Sequence, residues 1–138
     1  MKPSEKTDVV LIVPVHQATD DQLRSHYRVH EYFRVKDQGP DAQAAFFKAL
    51  EHCEIAVTTG SSGIKAPLID QLPSLRLIAC FGVGVDGVDL GHARSRGISV
   101  TNTPDVLSDE VADFAIALLL ASLRHYPRRT DSFARGLG

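Results

Sequence analysis

Apolar positions along this chain come in short runs separated by amphipathic or polar stretches. Residues 9–15, VVLIVPV, form a continuous apolar, β-branched run bounded by polar residues. Such a run suits a strand buried on both faces. Thr19 or Asp20 can cap a following helix that extends to about Arg28. Residues 32–36, YFRVK, read as a strand, placed at a sheet edge because they carry charge. Gly39-Pro40-Asp41 is a turn and helix start, and residues 42–53, AQAAFFKALEHC, form an amphipathic helix with Phe46, Phe47 and Leu50 turned inward. Residues 55–60, IAVTTG, are a short strand ending in small polar residues, and Pro67 fits the first turn of a helix to about Leu72. Then come a strand at 75–81, a polar helix at 88–96 stopped by Gly97, a strand at 98–102 and a long apolar helix from about 107 to 125.

Five strands alternating with helices predict an α/β fold, a parallel five-stranded sheet with helices on both faces. Right-handed crossovers make the flavodoxin-like order 2-1-3-4-5 the expected one. No internal repeat or low-complexity tract is visible. The expected organisation is a domain over 1–104, a hinge or interdomain helix over 105–126, and a linker or truncated end over 127–138. The helix from 107 carries apolar residues on more than one side, including Val111, Phe114, Leu118 and Leu119. A helix apolar nearly all round is a buried one.

At 138 residues, 43% hydrophobic and 23% charged, the chain has an ordinary globular composition. Its net charge of -2, from 15 basic and 17 acidic residues, points away from nucleic acid and from anionic membranes. The richest basic stretch, Arg124, Arg128, Arg129 and Arg135, reads as a solvated helix end. Cys53 and Cys80 lie in or beside apolar runs and read as buried thiols in a reducing compartment. The polar start, MKPSEKTD, has no signal-peptide core, and the longest apolar stretch, 114–123, is too short to span a bilayer. The expected location is the cytoplasm. His26 and His30 are four apart without a carboxylate to complete a zinc set, so no metal site is expected. His16 follows the first strand, where it either lines a cleft or faces solvent. Ser61 and Ser62 sit in a polar loop with no evident base.

Gly82-Val83-Gly84-Val85-Asp86-Gly87 matches G-x-G-x-x-G directly after a strand. One reading is a dinucleotide site. Three features oppose it: the loop follows the fourth strand rather than the first, the next helix is short and polar, and strand 98–102 ends in Thr101-Asn102-Thr103, with Asp105 beyond Pro104, rather than in an acid for a ribose hydroxyl. A second reading is anion binding, in which successive backbone N–H groups converge on one carboxylate. The third is a turn that needs glycine only for positive φ.

Three linked stretches, FGVGVDGVDL, ARSRGISVTNTPDVL and DEVADFAIALLLA, resemble the D-2-hydroxyacid dehydrogenases, most closely the glyoxylate and hydroxypyruvate reductase branch. Residues 75–123 carry the likeness; residues 9–74 agree in pattern only. The resemblance implies a flavodoxin-like substrate domain preceding a Rossmann domain that binds NAD or NADP, in an enzyme moving hydride to or from a small 2-oxo or 2-hydroxy acid. It implies that backbone amides of the glycine loop, at Val83 and Gly84, bind the substrate carboxylate, with Phe81 beside them. Thr59, Gly60 and Ser61 line the same cleft, and the turn 103–106, through Thr103 and Val106, meets the nicotinamide. Asp109 and Asp113 fall on the hinge helix, which the family buries at the domain junction and in a homodimer. The family's catalytic His, Glu and Arg belong to the later domain, so no catalytic residue is assigned to this chain. Nor does a second glycine fingerprint follow. The chain is accordingly expected to be a fragment, a truncated product or one domain of the enzyme, inactive by itself. The alternative is a stand-alone module that binds carboxylates or dimerises without catalysis.

Overall fold

The computed structural model describes residues 6–124. The chain divides into two compact units, Met1–Pro104 and Asp105–Gly138. The first holds β1 (Asp8–Leu11), α1 (Gln17–His26), β2 (Arg28–Glu31), α2 (Pro40–Ala49), β3 (Ile55–Thr59), α3 (Ala66–Asp70), β4 (Leu77–Phe81), α4 (Leu90–Ser95) and β5 (Ser99–Thr101). All four pairings are parallel and the order is β2-β1-β3-β4-β5, as the alternation of elements predicts.

The crossover from β1 to β2 runs across the sheet opposite to the other three. Right-handed connections therefore put α1 on one face and α2, α3 and α4 on the other. Burial follows that division. Val10, Ala56 and Ile78 form one core cluster with Phe47 of α2 and Leu50 just after it, Ile69 of α3 and Leu72 just after it, and Ala93 of α4, whereas α1 buries no residue. In β3 and β4 the register pairs Ala56 with Ile78 and Thr58 with Cys80, all buried; their neighbours Ile55, Val57, Leu77 and Ala79 are half-buried.

Three local expectations move. β1 pairs only over Asp8–Leu11; the chain bends at Ile12 and Val13, although the Ile12 amide still donates to Val57 O at 2.9 Å. The second strand is Arg28–Glu31, not 32–36. Tyr32–Arg34 is instead a 3-10 turn that brings the Tyr32 ring 6.0 Å from Phe46 and 5.3 Å from Phe47. Aromatic packing on α2 thus takes residues that local propensity would give to a strand. Finally, α1 is capped by His16, whose Nδ1 accepts the Ala18 amide at 3.3 Å, and not by Thr19 or Asp20.

The second unit holds α5 (Ser108–Leu123). Asp109 and Glu110 occupy its first turn, where negative charge suits the positive helix end. Its apolar side chains are exposed. The tail expected as a linker at 127–138, and the end of the expected hinge segment, lie outside the described residues.

Candidate functional site

At the carboxyl ends of β3 and β4, loops 60–65 and 82–89 lie against each other with almost no side chain between them. A Cβ on Gly60 would stand 2.1 Å from Gly84 O, and one on Gly63 1.8 Å from the Gly87 carbonyl carbon. One on Gly87 would stand 2.7 Å from both Gly60 O and Gly63 N. Only glycine permits such an approach, and Gly63 also has φ +60°. Hydrogen bonds fasten the pair. The Gly87 amide donates to Gly60 O at 2.7 Å, the Asp89 amide to Ile64 O at 3.0 Å, and the buried Thr58 hydroxyl to Gly63 O at 2.7 Å. Beneath, the Cys80 thiol donates to Gly84 O at 3.5 Å, and burial pushes that thiol up from its ordinary pKa. The Asp89 carboxylate caps α4 by accepting the His92 amide at 3.0 Å.

On its other side the glycine loop is tied to the end of β5. The Gly82 amide donates to Thr103 Oγ1 at 3.1 Å, the Thr103 amide to Gly82 O at 2.9 Å, and Asn102 Nδ2 to Val83 O at 2.7 Å. Gly82 has φ +134° there. Two of the three motif glycines therefore have a packing or conformational reason that involves no nucleotide: Gly82 its dihedral, Gly87 its close approach.

Between these anchors, the amides of Val83 and Gly84 have no protein acceptor among the described residues, and neither do those of Gly60 and Ser61. Phe81 and Val83, 55% and 50% exposed, stand beside them. Thr59, register partner of Phe81, accepts the Ser62 amide on its hydroxyl at 3.3 Å and lies 3.5 Å from Ser61 Oγ. The sheet thus brings Thr59, Gly60, Ser61, Phe81, Val83, Gly84 and Thr103 to one edge. Val106 belongs to the second unit, where it is exposed.

Sequence reasoning passes over two residues. Asn102 reads from sequence only as the place where a ribose acid is missing, yet its side chain holds the loop. Thr58 lies inside a strand pattern; its signal is a hydroxyl at a position otherwise fit for valine. Among the described residues no three His, Cys, Asp or Glu gather as metal ligands, and no helix is long and apolar enough to cross a membrane.

The fold is a doubly wound parallel α/β sheet, a class in which ligand sites lie at the carboxyl ends of the strands. Residues 9–133 match the model of the D-isomer specific 2-hydroxyacid dehydrogenase catalytic domain, and the chain belongs to that family. It is 38% identical over 122 residues to hydroxyphenylpyruvate reductase of Plectranthus scutellarioides, covering 87% of this chain and 37% of that protein. The crystal structure of 2-hydroxyacid dehydrogenase from Ketogulonicigenium vulgare Y25 superposes with a TM-score of 0.82 at 35% identity, over 95% of this chain and 40% of that one. An NADPH-dependent glyoxylate/hydroxypyruvate reductase from Sinorhizobium meliloti, solved with NADP and malonate, gives 0.71 at 36% identity, over 89% of this chain and 36% of that one. The chain spans about two fifths of the length of the relatives it matches.

Proposed function

We propose that this chain is the substrate-binding part of an oxidoreductase that moves hydride between NAD(P)H and C2 of a small 2-oxo acid such as glyoxylate or hydroxypyruvate. The observation that carries the proposal is the pair of unpaired amides at Val83 and Gly84, on a loop held from both sides. Each would donate to one carboxylate oxygen, and a hydrogen bond to a charged group contributes roughly 1.5–3 kcal/mol. Gly60 and Ser61 would supply donors from the neighbouring loop, with Thr59 behind them. Phe81 and Val83 would exclude water from the substrate's reacting carbon.

NAD or NADP, when bound, supplies the hydride. In this chain the turn 103–106 would face the nicotinamide. Thr103 donates its amide to Gly82 O and accepts the Gly82 amide on Oγ1, which leaves its hydroxyl proton and its methyl group for that contact, and exposed Val106 offers an apolar surface. The acid/base group and the main grip on the cofactor would come from residues other than these 138. The domain limits 1–104 and 105–126 and a cytoplasmic location belong to the same proposal, the latter in keeping with two free buried thiols. The exposed apolar residues of α5 favour a homodimer built on that helix. They also favour the second reading, a module that dimerises or holds carboxylates without catalysis.

Two measurements on the 138-residue chain test the first reading. Titration of 15N-labelled protein with malonate should move the amides of Val83 and Gly84 first. NADH or NADPH oxidation with glyoxylate should be undetectable. Malonate shifts confined to residues away from loops 60–65 and 82–89 would sink the carboxylate site. Turnover near the common enzyme value of ~10 s⁻¹ would show that the chain needs no further residues.

A further inference from the structure

We infer that Asn102 is a positioning residue for the carboxylate cradle, aiming the Gly84 amide through the peptide bond it shares with Val83. The inference rests on the reading of Val83 and Gly84 as carboxylate donors. Its basis is the geometry of two consecutive peptide planes. In a trans peptide the C=O of one residue and the N–H of the next point in opposite directions, and no cis bond occurs among the described residues. The plane joining Gly82 and Val83 has its oxygen held by the Thr103 amide at 2.9 Å. The plane joining Val83 and Gly84 has its oxygen held by Asn102 Nδ2 at 2.7 Å. Both carbonyls are thus drawn to the end of β5. Both N–H groups, of Val83 and of Gly84, are turned the other way, and neither has an acceptor among the described residues.

The two restraints are not equivalent. The first is main chain and survives any substitution except proline. The second is one side chain, and it alone fixes the Gly84 plane from the β5 side. Asn102 has a further effect. Donation into Val83 O polarises that peptide and makes the Gly84 N–H a stronger donor, since hydrogen bonds in a chain reinforce one another. Replacing Asn102 should therefore weaken carboxylate binding through Gly84 and leave Val83 in place. The residue is exposed, so its loss should cost the fold little.

The experiment compares the 15N-labelled 138-residue chain with Asn102→Ala and with Asn102→Asp, which keeps the shape but turns an acceptor toward Val83 O. Without ligand, the Gly84 N–H order parameter should fall in both variants from the ~0.85 of rigid backbone toward ~0.6, while Val83 holds. With malonate, the Gly84 shift should be lost and Kd should rise roughly five- to tenfold for Asn102→Ala, the loss expected of about one hydrogen bond, and further for Asn102→Asp. A merely structural role would lower Tm without separating Gly84 from Val83. Variants in which Gly84 stays rigid and malonate binds undiminished overturn the proposal and leave the carboxylate reading standing. An unmutated chain in which malonate moves neither amide overturns that reading, and with it the part given to Asn102.

Discussion

β1 and α5 are both written in apolar residues, and they meet opposite fates. Val9, Val10 and Leu11 are all but sealed from solvent, whereas Val111, Phe114, Ile116, Leu118, Leu119, Leu120 and Leu123 are each more than half exposed. An apolar pattern states that a surface will be buried; it does not state by what. A strand in a doubly wound sheet is covered by crossovers encoded in the same hundred or so residues, so β1 finds its cover locally. A helix apolar nearly all round has more surface than one sheet face can cover. Contiguous exposed apolar surface of that kind marks an interaction site. The first unit thus buries β1 by itself, whereas α5 keeps its large apolar side chains exposed.

The largest expected effect breaks the completed side of this contrast. Gly63→Ala puts a methyl group 1.8 Å from the Gly87 carbonyl carbon, at φ +60°, and both partners are backbone. No rotamer can relieve that clash. We expect a loss of about 4 kcal/mol or more, a large part of the 5–15 kcal/mol that typically holds a domain together. Gly97 also has a positive φ, +69°, but nothing lies within 4 Å of its would-be Cβ. Gly97→Ala should cost only the conformational ~1–2 kcal/mol. Urea midpoints by circular dichroism compare the two, and equal shifts would mean that the loops are not locked.

The same contrast explains what is legible in the sequence. Alternation and handedness, neither of which depends on any one side chain, narrow the strand order to a few doubly wound arrangements, and the alternation is readable from the runs at 9–15, 55–60 and 75–81. β2 is not. Arg28 and Glu31 make ion pairs along one sheet edge, Arg28 with Asp8 and Glu31 with Arg24 and Arg34, and His30 Nε2 is hydrogen-bonded to the same Asp8 carboxylate at 2.7 Å. Only Val29 advertises the strand, while Tyr32 and Phe33 beside it look far more strand-like. The His16 cap is unreadable for a related reason, because imidazole is not among the preferred caps and two better ones stand nearby. At the site, the residues near the cradle can be named from family likeness. The Asn102 bond cannot, since it joins positions 19 apart in sequence through a main-chain oxygen that has no signature.

The middle effect probes α5. Leu119 is 59% exposed, so Leu119→Asp should leave the urea midpoint of the first unit within about 0.5 kcal/mol of the unmutated value. It should instead abolish self-association, because a charge placed in a dry interface costs several kcal/mol unless it is paired. Sedimentation velocity reads this directly: an associating chain, a monomeric variant. If the unmutated chain sediments as a soluble monomer, α5 is not a self-association surface and the proposed homodimer falls.

The smallest effect returns to the first unit and asks how dry its interior is. Burial raises the pKa of both Cys53 and Cys80 above the ordinary 9.0. For Cys53 the backbone hydrogen bonds at Ile55 and Val10, which favour the thiolate, do not reverse that direction. The folded state therefore keeps two protons that the unfolded chain gives up near pH 9.0. Their contribution is complete below that pH and is lost as pH rises through the folded values. Each thiol can account for at most about 1.4 kcal/mol per pH unit over that window. Tyrosines and lysines titrate in the same range, so the informative quantity is a difference. Between about pH 8 and pH 10, a window that brackets the ordinary thiol range, the unmutated chain should lose more stability than a Cys53→Ala/Cys80→Ala double variant, even though the variant starts lower because of its two small cavities. α5 contains no cysteine, so this alkaline loss should appear only in the cooperative unfolding of the sheet. Identical pH slopes for the two proteins would mean that water reaches the thiols, and that the unit with the buried strands is less thoroughly sealed than its packing implies.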